Sequence, residues 1–345
     1  MGNLQPPPAS GASAAPQVVA IEPRATIDPD PKTATLPNPV MQQWQWRGQR
    51  IAYQQAGTTG PALVLIHGFG ASSLHWRKNL EVLGETHRVY ALDLLGFGRS
   101  AKPTPNQPLS YTFETWGQQV LDFCREVVQG PAFLGGNSIG CIVALQAAVT
   151  DPKAVSGLVL LNCSLRLLHD RKRQALPWYR SIGTPVIQSL LGVKAIGQPF
   201  FQSLAQPKTV DRVLRQAYGR EDAVTEELVN FLLEPSREPG AVDVFLAFVR
   251  YSQGPLPEDL LPQVSCPILV LWGAEDPWEP IDLGRALVAD IPQVEHFVPL
   301  PGVGHCPQDE APELVNPMVR DWTLQKARQK ARSRFPFGRG LAARA

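Results

Sequence analysis

Three side chains far apart in the sequence, Ser138, Asp276 and His305, are of the types and settings that could carry out nucleophilic chemistry. Ser138 stands at the apex of Gly136-Asn137-Ser138-Ile139-Gly140, entered by the apolar run Ala132–Leu134 and left by a helical pattern from Cys141 to Ala148. That reads as strand, sharp turn and helix. Glycines two residues on either side let the backbone turn tightly and hold the hydroxyl out beside a helix N-terminus. A serine hydroxyl is a poor nucleophile near neutral pH and needs a base within hydrogen-bond reach. Of the six histidines, His305 lies in a glycine- and proline-rich loop, Pro301 to Pro307, directly after the last predicted strand. Such a loop can deliver an imidazole to the serine. His75, His87, His169 and His296 fall in or at the ends of predicted elements and read as structural or surface residues, and His67 is expected to shape the His67-Gly68-Phe69-Gly70 loop.

The base in turn needs a carboxylate to hold its tautomer and stabilise the imidazolium. Asp276, fixed by Pro277 at the end of the strand around Leu271, is the first choice and Glu275 the alternative; the strand ending at Asn162-Cys163-Ser164 offers no carboxylate. An oxyanion formed on attack needs two aimed donors, and losing one typically costs on the order of 3 kcal/mol. The backbone N–H groups of Ile139 and Phe69 are the expected pair. This chemistry implies no metal and no organic cofactor.

The elements that must position these residues can be read in order. Trp44 to Tyr53 suggests an antiparallel hairpin, and Ala62–Ile66 and Val89–Leu92 are apolar runs that fit strands buried on both faces. Ser73 to Leu83 and Phe113 to Val128 have helical spacing; Gly157–Asn162, Pro267–Gly273 and Glu295–Pro299 continue the strand rhythm. Strands alternating with helices predict a mostly parallel sheet with helices on both faces. From Ser164 to about Leu261 the alternation stops, and the segment reads as entirely helical, a cap over the carboxyl ends of the strands, where such sheets bind ligands. The expected organisation is a disordered arm over 1–40, a first core part over 41–163, a helical cap over 164–261, a second core part over 262–325 and a basic tail over 326–345.

The arm contains nine prolines and no aromatic residue, too little apolar surface to offset the entropy of ordering. The tail carries seven basic and no acidic side chains against a net acidic remainder. It could make peripheral contact with an anionic membrane surface, or serve as a solubilising helix extension; no nucleic-acid partner is expected. With 44% hydrophobic and 18% charged residues and a net charge of +1, the composition is that of a globular protein with a sizeable core. No apolar run is long enough to span a bilayer, and no secretory signal pattern opens the chain. Five scattered cysteines, mostly inside apolar segments, fit reduced core residues of a cytoplasmic-type reducing compartment better than a disulfide frame.

Taken together and in this order, H-G-F-G at His67–Gly70, D-L-L-G-F-G-R-S at Asp93–Ser100, G-N-S-I-G, L-W-G-A-E-D-P-W from Leu271 and G-V-G-H-C-P from Gly302 resemble the α/β-hydrolases, over roughly residues 42–323. The resemblance implies an α/β-hydrolase fold with a Ser138-Asp276-His305 triad and a mainly structural role for Asp93 and Arg99. The stretches from Leu158, from Ala217 to Val229, Gly240–Phe245 and Gly302–Glu310 are similar to the chlorophyll dephytylases of plants and cyanobacteria and, more distantly, to pheophytinase. This narrower resemblance implies hydrolysis of the phytyl ester of a chlorophyll-type pigment, an apolar ester substrate, at the periphery of photosynthetic membranes. The alternatives are a general carboxylesterase or lipid acyl hydrolase, a carbon–carbon bond hydrolase of ring-cleavage products, and a non-catalytic pigment- or lipid-binding protein.

Overall fold

The structure, a computed structural model, describes residues 39–167, 169–173 and 194–334. Most of the predicted arm, part of the predicted cap (168 and 174–193) and the end of the basic tail (335–345) lie outside the described residues. Eight strands form one sheet: β1 (Val40–Trp46), β2 (Gln49–Ala56), β3 (Ala62–Ile66), β4 (Arg88–Leu92), β5 (Ala132–Asn137), β6 (Val155–Leu161), β7 (Ile268–Gly273) and β8 (Val294–Leu300). Their spatial order is β1-β2-β4-β3-β5-β6-β7-β8. The β1–β2 and β2–β4 pairs are antiparallel, and every other pair is parallel.

The apolar runs explain the layers. Side chains alternate across a strand, so Val64 and Ile66 of β3 enter the core shared with α2 (Phe113–Phe123) and α3 (Ile139–Thr150), while Leu63 and Leu65 enter the core on the other face. That second core is closed by α1 (Arg77–Gly84) and by the C-terminal helix Pro312–Arg334 through Leu80, Leu83, Val319 and Trp322. Strands β6 and β7 divide their side chains in the same way. Each fully buried Leu or Val contributes about 1.5–3 kcal/mol, which is why these strands read as continuous apolar runs.

Two predicted helices are more finely divided than their spacing implies. The Ser73–Leu83 segment begins as a tight three-residue-per-turn helix over Ser73–Trp76, capped by Ser72, before α1. The helix expected over Phe113–Val128 is α-helical to Phe123 and widens over Cys124–Val128, closed by Gln129 at φ +60°.

Between β6 and β7 the described residues form helices and no strand. The longer ones are α4 (Lys194–Leu204), α5 (Pro207–Ala217), α6 (Glu226–Leu233) and α7 (Ala241–Arg250). They have a small core of their own, in which Leu214, Tyr218, Leu228 and Leu233 pack with Cys306 of the main body. Phe245 and Phe248 of α7 meet Phe69, the latter stacked at 4.4 Å between ring centroids. No described helix is long and apolar enough to cross a membrane.

Candidate active site

The loops following β3, β5, β7 and β8 leave the same edge of the sheet, because these strands are parallel. Ser138, between β5 and α3, has φ +55° and ψ −120°, a backbone state that a residue with a side chain holds only when its surroundings enforce it, at a cost of about 1–3 kcal/mol. The enforcement is visible. Ser138 N–H donates to Leu161 O (3.1 Å), and Ser138 O accepts from Cys141 N–H (3.1 Å) and Ser164 N–H (3.2 Å). A Cβ on Gly136 would lie 2.5 Å from Gly140 O, and one on Gly140 would lie 2.7 Å from His67 O, so both glycines are required by close backbone approach.

His305 is buried, and its Nδ1 lies 2.7 Å from Asp276 Oδ2. A carboxylate accepts, so Nδ1 carries the proton and Nε2 is left as the basic nitrogen. Asp276 takes three further donors: Asn162 Nδ2 on Oδ2 (2.7 Å), and the N–H groups of Trp278 (2.8 Å) and Glu279 (3.1 Å) on Oδ1. Its neighbour Glu275 is exposed. Of the two carboxylates left open by the sequence, Asp276 is the one the structure brings to His305. Asn137 joins this loop to the Ser138 turn by donating to His305 O (2.9 Å).

The His67–Gly70 loop runs alongside. A Cβ on Gly68 would stand 3.3 Å from Ser138 Cβ. His67 Nδ1–H donates to Gly68 O (2.7 Å) and Nε2 accepts from Leu94 N–H (3.1 Å), and complete burial lowers its pKa, so the neutral ring is a fixed strut of the loop. Ile139 opens α3, where N–H groups have no acceptor within their own helix. Asp93 accepts from Ser73 N–H (2.6 Å) and Arg99 N–H (2.8 Å), which ties two loops together. The hydrogen bond with the Cys141 thiol, together with burial, pushes the Cys163 thiol well up, and burial does the same at Cys306, away from nucleophilic use.

Sequence reasoning missed four residues here. Asn162, at φ +43° where β6 ends, bridges Asp276 and the N–H of Gly273 (2.9 Å). Trp278 sets its ring edgewise on His305, 4.9 Å between centroids. Glu279 accepts from Leu165 N–H (3.0 Å), and burial raises its pKa to about 7. Glu310 accepts four backbone N–H groups. Asn162, Trp278 and Glu310 fall within stretches singled out in the sequence, but none has a periodicity or turn signal that marks it.

A family model described as the alpha/beta hydrolase family matches residues 63–318. The chain belongs to this family. It is 28% identical over 316 residues to the chloroplastic pheophytinase of Arabidopsis thaliana, a match that takes in 81% of the chain and 65% of that protein's length. It is 27% identical to the uncharacterized hydrolase YugF of Bacillus subtilis (strain 168), over 80% of the chain and 94% of its relative. Among solved structures it resembles a membrane phospholipase A described as a bacterial virulence factor, with a TM-score of 0.66 and 24% identity, covering 84% of the chain and 87% of the other. That last likeness shows the fold alone.

In this α/β hydrolase the cap and the Phe69 loop line a partly open cavity of about 190 Å³. Its walls are mainly apolar, among them Phe69, Phe97, Phe201, Leu232, Val244 and Phe245. The cation at its margin, Lys102 Nζ, is occupied by Gly98 O (2.7 Å) and the Glu238 carboxylate (2.6 Å).

Proposed function

We propose that this α/β hydrolase is a serine ester hydrolase that cleaves the phytyl ester of a chlorophyll-type pigment. The observation that carries the ester chemistry is the buried His305–Asp276 hydrogen bond on a loop tied by Asn137 to the strained Ser138 turn. His305 Nε2 takes the Ser138 proton as Oγ attacks the ester carbonyl carbon. The N–H groups of Phe69 and Ile139 receive the oxyanion. The imidazolium then protonates the alkoxy oxygen, the carbon–oxygen bond breaks, and the alcohol leaves an acyl-Ser138. Water, giving its proton to His305, attacks that acyl group and releases the carboxylic acid and free Ser138. Asp276 holds Nδ1–H throughout.

The substrate class rests on the similarity of the 217–229 and 240–245 stretches to the chlorophyll dephytylases, on the likeness to pheophytinase, and on the apolar cavity. A cavity of about 150 Å³ takes a benzene ring, so this one suits a branched hydrocarbon unit and is too small for a tetrapyrrole. The same cavity would suit a fatty chain, which keeps a lipid acyl hydrolase as the second reading.

The test is incubation of the protein with detergent-solubilised chlorophyll a, alongside Ser138→Ala, with chromatography for chlorophyllide and phytol. Both products are expected from the wild type, and a loss of about 10⁴-fold or more in the variant. Hydrolysis of p-nitrophenyl butyrate without either product would retain the serine chemistry and overturn the pigment.

A further inference from the structure

Residues 217–220, where α5 ends, direct their polar groups at the loop that carries His305. Ala217 O accepts from His305 N–H at 2.8 Å. Tyr218 Oη donates to Asp309 Oδ2 at 2.9 Å. Gly219 N–H and Arg220 N–H donate to Glu310 Oε2 at 2.7 and 3.2 Å. The same Glu310 carboxylate accepts Gly304 N–H on Oε2 (2.9 Å) and Cys306 N–H on Oε1 (3.0 Å), the two residues that flank His305. The two backbones are in contact: a Cβ on Gly219 would lie 2.8 Å from Gly302 O, and one on Gly304 would lie 2.5 Å from Gly219 N.

An ionised carboxylate is the side chain that accepts in several directions without presenting a donor. Glu310 is buried, a placement that costs several kcal/mol for an ion and is tolerated only when its oxygens are met. Half of its donors come from the cap and half from the histidine loop. If the loop alone needed fastening, the Gly304 and Cys306 donors would suffice. The shared oxygen Oε2, with two cap donors and one loop donor, joins the pieces.

We propose that Glu310 is a positioning residue that locks the His305 loop to the cap turn 217–220, so that the imidazole is held in register with Ser138 only while that turn is seated. Tyr218 and Asp309 form a second fastener beside it. This rests on the reading of His305 as the base.

The experiment compares full-length wild type with Glu310→Gln and Tyr218→Phe. Glutamine can turn one oxygen to the three donors of Oε2 but then sets an NH₂ against Cys306 N–H; phenylalanine removes one hydroxyl. Three quantities are read: Tm, kcat and KM with p-nitrophenyl butyrate, and the ¹H–¹⁵N signal of the His305 Nδ1 proton. The expected result is a kcat lowered about tenfold or more, with KM within about twofold, together with a shifted or broadened His305 signal in protein still folded at the assay temperature. Variants in which only Tm falls overturn the proposal. If Glu310→Gln does not fold, Tyr218→Phe is judged by the same criteria. If the wild type neither hydrolyses the ester nor reacts with a fluorophosphonate at Ser138, the serine-hydrolase reading fails separately. The His305 signal then decides, and its constancy in the folded variants overturns the lock.

Discussion

Two buried carboxylates stand three residues apart beside His305, and they are held in opposite ways. Asp276 is met by four donors, while at Glu279 burial outweighs the compensation from Leu165 N–H, His305 and Ser164 and raises its pKa from 4.5 to about 7. The folded protein therefore binds this proton more tightly than the unfolded chain does. Between about pH 4.5 and 7 stability falls as pH rises, and above that range the full cost of the buried anion remains. Glu279→Gln should leave stability near pH 4.5 little changed and raise it at pH 8 by at most about 3 kcal/mol. Urea unfolding at both pH values measures this, and a variant no more stable than wild type at pH 8 would contradict it. At this scale the candidate site is legible where a side chain of a reactive type stands in a glycine- or proline-punctuated loop, as Ser138 and His305 do. Choosing Asp276 over Glu275 is only hinted at by Pro277; burial and hydrogen bonding decide it. Asn162, Glu279 and Glu310 are not legible, because each acts on backbone or side chains that only the folded chain brings near.

The turn between β5 and α3 depends on the strand next to it. A Cβ on Gly140 would run into Ile66 O and lie 2.7 Å from His67 O, backbone atoms at the end of β3 that have no room to yield. Gly140→Ala should therefore destabilise by more than about 3 kcal/mol, or yield no soluble protein. Gly130→Ala, where a Cβ meets nothing within 4 Å, should stay within about 0.5 kcal/mol of wild type. Thermal melts of the two variants make the comparison, and equal Tm values would count against the packing argument. The strands are legible because burial on both faces writes them as unbroken apolar runs, as in Ala62–Ile66. The break in the helix at Cys124 is not: Cys124 and Val128 keep an apolar spacing whether the turn is regular or widened, and the left-handed Gln129 has no sequence signature.

Across the whole molecule, the cap and the core share the cavity behind Phe69, and under the proposed function its walls would set which chains fit. Ala205 lines it from the end of α4, and Ala205→Phe should fill much of the space. The expected outcome is a kcat/KM about tenfold lower for p-nitrophenyl palmitate, in the range that hydrophobic pocket contacts provide, with p-nitrophenyl acetate unchanged. A parallel loss on both esters would show that the cavity does not read chain length.

The described part of the cap is fastened to the core at several separated points, among them Leu165 on Glu279, the turn 217–220 on Glu310, Glu238 on Lys102 and Phe248 on Phe69. Contacts spread over that much of the edge resist a lid-like swing of the described cap as one piece. If the substrate is the long-chain ester proposed above, its hydrocarbon would thread in end first and slide out the same way, like a cord through an eyelet. The time a released chain spends in transit then grows with its length. A micelle or bilayer that draws the emerging tail would hasten turnover without touching the reacting atoms, and throughput becomes a matter of traffic rather than of bond breaking.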